Sequence, residues 1–176
     1  EGEGALAFLQ RVTANNVAKL ADGQAQYSAL PLPSGCPVDD IIVYRRSARR
    51  FLVVVNAANI EKDWQWLLAQ KPAGCGLHDL SEQFALLALQ GPKAATILQG
   101  LTSIDLATVA FYHFAEGRVG GAEGIVARTG YTGEDGFEVI VPEARTVAFW
   151  NALLDAGVKP AGLGARLPRL ATSRRM

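Results

Sequence analysis

The run Phe8-Leu9-Gln10-Arg11-Val12-Thr13 has a counterpart in Ile97-Leu98-Gln99-Gly100-Leu101-Thr102, and Phe51-Leu52-Val53-Val54-Val55 has one in Phe137-Glu138-Val139-Ile140-Val141. Counting on from the second pair sets Trp64 opposite Trp150 and Leu67-Leu68 opposite Leu153-Leu154. The offset changes little between the two matches, so only a small gap is needed to align the halves. A chance likeness of short apolar runs is the alternative. Each half reads as a helix, strands, then a strand running into an amphipathic helix. This predicts two related α+β units built around antiparallel sheets.

Taken in order, Leu6, Phe8, Leu9 and Val12 fall close to helical spacing, and Gln24 to Leu30 alternates loosely as a strand. Pro31 to Gly35 is a turn, Val38 to Tyr44 a strand carrying Asp39 and Asp40, Arg45 to Arg50 a basic solvated turn, and Phe51 to Val55 the next strand. Asn56-Ala57-Ala58-Asn59 leads into a helix over Ile60 to Leu68. In the second half, Phe84 to Leu89 reads as a strand, with a helix opening at Gly91-Pro92. Strands follow over Phe111 to Arg118 and Ile125 to Arg128. A last helix runs from Pro142 to Gly157.

Between the apolar runs Gly124-Ile125-Val126-Ala127 and Val139-Ile140-Val141 lies a connector with glycines at 130, 133 and 136. It reads as a hairpin, with glycine wherever the turn needs positive φ. On composition alone it is a polar loop. Glu138 argues for more: it stands inside the returning strand, on the face opposite Phe137 and Val139. If that face is enclosed, the carboxylate needs donors. The other half of the repeat fills the same slot with Leu52, so folding does not require a carboxylate there. A strand glutamate reaching solvent is the other reading.

Composition bounds the remainder. Of 176 residues 49% are apolar, and 17 basic residues balance 17 acidic ones. Zero formal charge gives no electrostatic case for nucleic acid or an anionic membrane. Cys36 and Cys75 stand far apart without a second cysteine nearby, which suggests neither a zinc site nor a disulfide framework. A reduced, cytoplasmic protein is the simpler expectation. No metal ligand set is expected. No apolar run reaches membrane-spanning length. Asp39 and Asp40 alternate faces of one strand, so one of them at most can face a pocket.

Several ordered motifs resemble the T protein of the glycine cleavage system, the tetrahydrofolate-dependent aminomethyltransferase family. They are Ala25-Gln26-Tyr27-Ser28, Val38 to Tyr44, Val54 to Asp63, Leu89-Gln90-Gly91-Pro92, Arg128 to Glu138, and Pro160-Ala161-Gly162-Leu163-Gly164-Ala165-Arg166. The resemblance covers Glu1 to Arg166 and identifies this stretch with the family's central region. It implies the folate-binding aminomethyltransferase fold, with a ferredoxin-like second unit. The first unit would span 1–80, incomplete at its N-terminus, and the second 81–166. Residues 167–176 depart from the family pattern. About 60 residues before the match and a C-terminal domain after it would be missing. Missing walls would expose apolar surface, so self-association is expected.

The implied reaction moves a methylene group from an aminomethylated lipoyl arm, carried by the H protein, to tetrahydrofolate with release of ammonia. Asp40 matches the family's essential aspartate beside the reacting nitrogen and methylene, where a carboxylate can orient the amine and stabilise developing cation. Asp39 would be its solvated neighbour. A solvated turn-exit pair is the alternative for both. Glu138 matches the pterin-binding glutamate; the pterin's exocyclic amine and ring N–H form a paired donor edge that one carboxylate can accept. Tyr131 matches a tyrosine near the folate. Asn56 stands where the family places folate contacts, but also where Asn commonly caps a helix. Tyr27 and Tyr44 match site tyrosines, with plain strand core as the other reading. Arg166 matches an arginine suited to a folate carboxylate. His78 and His113 have no evident pairing. Two other readings stand beside aminomethyl transfer: a folate-binding module or degenerate fragment without turnover, and a one-carbon oxidase or demethylase on the same fold. The Asp40 and Asn56 motifs favour aminomethyl transfer over an oxidase or demethylase.

Overall fold

The computed structural model describes residues 1–162 and 164. Its helices and strands run α1 (Ala5–Val12), β1 (Ala25–Pro31), β2 (Pro37–Ser47), β3 (Arg50–Val54), α2 (Ile60–Gln70), β4 (Phe84–Gln90), α3 (Ala94–Gln99), β5 (Phe114–Val119), β6 (Ala122–Ala127), β7 (Gly136–Pro142) and α4 (Thr146–Asp155). Short 3₁₀ turns at Val17–Lys19 and Ala57–Asn59 precede β1 and α2, and turns at Leu106–Thr108 and Glu143–Arg145 precede β5 and α4. The same succession therefore occurs twice: helix, 3₁₀ turn, three strands, 3₁₀ turn, helix. β4 is the addition in the second half. The chain is α+β, as its repeat predicts.

Two compact units divide the chain, Glu1–Phe84 with Val109–Ala115, and Ala85–Thr108 with the residues from Glu116 onward. In the first, β1, β2 and β3 form an antiparallel meander. Alternation puts Asp39, Ile41 and Val43 on one face of β2 and Asp40, Ile42 and Tyr44 on the other. Ile41 and Val43 join Phe8, Leu9 and Val12 of α1 and Leu67 of α2 in the unit's core. Arg45 and Arg46 continue β2 rather than forming a turn, and Arg45 pairs with Asp22 at 2.9 Å. β1 lies at the sheet edge, and the segment around Tyr112 covers its start. The Ala25 N–H donates to the Tyr112 carbonyl at 2.8 Å, and the Phe114 N–H donates to Gly23 at 2.9 Å. The strand expected from Phe111 begins only at Phe114 because Tyr112 takes a left-handed φ of 57°.

In the second unit the strand order is β4-β7-β6-β5. The sequence of elements, β-α-β-β-β-α, keeps the four strands and two helices of a ferredoxin-like unit and places the second helix after the last strand. β7 has neighbours on both sides, and every residue from Gly136 to Val141 is buried. That placement explains its nearly unbroken apolar run. Leu153 of α4 is buried in the slot that Leu67 holds in α2, and Leu98 of α3 in that of Leu9. The helix foreseen at Gly91-Pro92 starts at Ala94. No helix among the described residues is long and apolar enough to cross a membrane.

Candidate functional site

β2 and β3 bring an amide to the two aspartates. Ile42 pairs with Val54, so the antiparallel register carried two residues further sets Asn56 opposite Asp40, just past the end of β3. Asn56 precedes the 3₁₀ turn in the capping position, yet its side chain caps nothing there. Its Nδ2 donates instead to Asp40 Oδ1 at 2.8 Å, to Asp39 Oδ1 at 3.1 Å and to the Asp40 carbonyl at 3.2 Å. Tyr27 lies opposite Ile42 on β1, hence on the Asp40 face, and its hydroxyl donates to Asp40 Oδ2 at 2.8 Å. Each oxygen of Asp40 is thus held by a separate donor while the residue stays exposed. The Asp40 bond raises the Tyr27 phenol above its ordinary value, and burial adds to this.

Asp39 is not the solvated neighbour expected of it. It is half-buried on the helix-facing side of β2 and accepts from Asn59 Nδ2 at 3.0 Å as well as from Asn56. Burial works against its charge, but bonds from Asn59 and Asn56 help to outweigh that and hold its carboxyl below the usual range. Asp63 lies behind it on the inner face of α2, one turn before Leu67, and is fully buried. Burial first, then the adjoining Asp39, pushes the Asp63 carboxyl up to about 6. Sequence reading missed Asp63. The signal was present, because a residue four before a core leucine shares its stripe.

In the second unit, β6 and β7 form the foreseen hairpin, with Ala127 opposite Glu138. The three glycines serve different needs. Gly133 alone among them takes a positive φ, 84°. Gly130 and Gly136 are close-approach positions, and a Cβ on Gly130 would come within 2.9 Å of the Gly136 backbone. Arg128 closes the loop by a two-pronged bond to Asp135, at 2.8 and 2.7 Å, and its guanidinium lies 5.3 Å from the Phe137 ring centre. The pairing holds the Asp135 carboxyl below its ordinary range and raises Arg128, with burial opposing both.

Glu138 is enclosed, 6% exposed, and accepts from the equally buried Thr129 hydroxyl at 2.5 Å. Tyr131 lies in the same connector but is half exposed, beside a cleft of about 250 Å³ lined also by Leu87, Gln90, Trp150 and Leu153; Glu138 is not among its walls. Gln90 holds this loop, accepting from the Tyr131 N–H at 3.2 Å.

The structure therefore gathers Asp40, Asn56 and Tyr27 in the first unit and places Tyr131 and Glu138 in the β6–β7 hairpin of the second. Tyr44 is fully buried, edge to face with Phe114 at 5.4 Å, and serves the core. Arg166 lies outside the described residues. His113 meets the Gln24 amide at 3.2 Å. His78 lies 3.4 Å from Glu1. Tyr112 was also missed: its left-handed backbone carries no sequence signal, because tyrosine seldom adopts it.

Both the sequence and the fold are similar to those of known proteins. An aminomethyltransferase of Flavobacterium psychrophilum is 46% identical over 171 residues, covering 94% of this chain and 48% of its own length. One of Exiguobacterium sibiricum is 48% identical, covering 94% and 46%. The crystal structure of glycine cleavage system aminomethyltransferase T from Bartonella henselae superposes with a TM-score of 0.84 at 34% identity, over 94% of this chain and 45% of that one. A heterotetrameric sarcosine oxidase from a Corynebacterium shares the fold alone, at 21% identity and a TM-score of 0.55. The chain spans about half the length of the curated relatives it matches. The GCVT N-terminal domain pattern matches residues 1–172, and the chain belongs to that family.

Proposed function

We propose that this chain is the folate-handling part of an aminomethyltransferase, in which a methylene group passes from an aminomethyl-lipoyl arm on the H protein to tetrahydrofolate and ammonia leaves. The observation that carries the reading is the Asp40 carboxylate, fixed on one oxygen by Tyr27 and on the other by Asn56, yet open to solvent. A carboxylate tied in this way keeps one orientation and still has lone pairs facing outward. It can hold a reacting amine in place and oppose positive charge that grows as ammonia departs, without reorganising. Glu138 supports the same reading in the second unit. It is a carboxylate kept inside an otherwise apolar buried strand, suited to the paired donors of a pterin edge. Tyr131 offers an aromatic face to the same ligand.

Calorimetric titration of tetrahydrofolate into the chain tests this. Glu138→Ala should weaken saturable binding by about 2–3 kcal/mol, the worth of a charge-assisted paired contact. Asp40→Asn should weaken binding about tenfold, less than Glu138→Ala does, and abolish ammonia release with a loaded carrier protein. Heats that do not saturate, or an affinity indifferent to Glu138, would refute the assignment. A second reading is folate binding without turnover. Binding with no ammonia release in the parent chain would select it.

A further inference from the structure

We infer that Asp63 is a positioning residue for Asp40: as the carboxylic acid it donates a hydrogen bond to Asp39, and Asp39 anchors the Asn59 and Asn56 amides that hold the Asp40 carboxylate. The inference rests on the reading of Asp40 given above.

Three observations carry it. Asp63 is 0% exposed, and neither of its side-chain oxygens meets a donor among the described residues. Asn59, one turn before Asp63, donates to Asp39 at 3.0 Å, which brings the Asp39 carboxyl to the Asp63 side of α2, and Asp39 also accepts from Asn56. Two ionised carboxyls have no hydrogen to share, so contact between them requires one proton. Asp40 on β2 and Lys62 on α2 also act on Asp63, and Lys62 gives its ammonium to the Val38 carbonyl at 2.6 Å. The proton belongs on the more enclosed partner, Asp63.

The repeat supplies the third observation. Setting Phe51 on Phe137 and Leu67 on Leu153 places Asp63 on Phe149, which is 1% exposed. The sister unit fills this slot with a phenylalanine, so packing does not call for a carboxyl there. Burying a polar group at an apolar slot costs stability. Here it supplies the one donor that turns Asp39 from an opposing charge into an anchor. Ionising Asp63 would set two negative charges face to face, release the Asn59–Asp39–Asn56 chain and loosen Asp40.

Side-chain carboxyl and amide NMR on the whole chain, from pH 4 to 8, tests the link without folate. The Asp63 carboxyl carbon should titrate with a midpoint of about 6, and the Asn56 side-chain amide signals should move with the same midpoint. Asp63→Asn, which keeps a donor and cannot ionise, should fix those signals at their low-pH positions. Asp63→Leu should displace them and weaken tetrahydrofolate binding roughly tenfold. With the parent chain the affinity should decline as pH rises through the Asp63 midpoint, and with Asp63→Asn it should not. Asn56 signals indifferent to Asp63 ionisation, or an Asp63→Asn pH profile matching the parent's, would overturn the inference. If Asp63→Leu does not fold, the Asp63→Asn comparison decides. If the parent binds no folate, the functional proposal fails and the amide signals still decide this one.

Discussion

Asp63 makes a stability prediction that needs no ligand. Its carboxyl is raised from 3.8 to about 6 in the folded chain. At 1.36 kcal/mol for each pKa unit the difference is worth about 3 kcal/mol. Between these two values the unfolded chain has released a proton that the folded chain retains. Stability therefore falls as pH rises from about 4 to about 6, and this contribution is level above that. Asp39, Asp79 and Asp135 have the opposite sign, with folded carboxyls held below their ordinary value. Their stabilisation is present above the unfolded value and is lost only as pH falls through their folded values, outside the Asp63 window. Urea unfolding at intervals across pH 4 to 7 reads the slope directly. The Asp63→Asn variant supplies the baseline, since it keeps the donor to Asp39 without a titrating proton. The difference between the two curves should grow by about 3 kcal/mol across the window. Parallel curves would refute the protonated pair.

The second-unit loop gives two further tests. Asp135→Asn removes the charge from a half-buried, two-pronged pair and should lower stability by about 1 kcal/mol; Arg128→Ala should cost more, because the guanidinium also covers the Phe137 ring. Thermal unfolding reads both, and equal losses would mean that the ring contact contributes nothing. Gly130→Ala should cost about 2–3 kcal/mol, since its new Cβ meets the Gly136 backbone at 2.9 Å. Gly133→Ala has open space and bears only the strain of φ +84°, about 1 kcal/mol. A reversed order in denaturant midpoints would contradict the close-approach reading.

The repeat made the element order legible, because strand and helix periodicities survive divergence in apolar positions that packing requires. It made Glu138 legible for the same reason inverted: a carboxylate opposite Leu52 departs from what packing alone would choose. Asp63 opposite Phe149 is the same signal, and an alignment carried one helix turn before Leu67 would have exposed it. Asn56 was not resolvable this way. Its spacing fits a cap as well as a ligand, and only the Ile42–Val54 register, which sets it across from Asp40, turns its side chain to Asp40 rather than to the helix start. Opposite strand faces do separate Asp39 from Asp40, yet the Asn56 amide sits at the strand end, where one donor group reaches both. Tyr44 was ambiguous for a related reason. Alternation places it on the Asp40 face, but whether that face is open or covered depends on the returning segment at Phe114, far along the chain. Local pattern therefore fixes which residues share a face, and the contacts that close or open that face decide which of them can do chemistry. Asp40 and Tyr44 share one face of β2, and only Asp40 remains open to solvent.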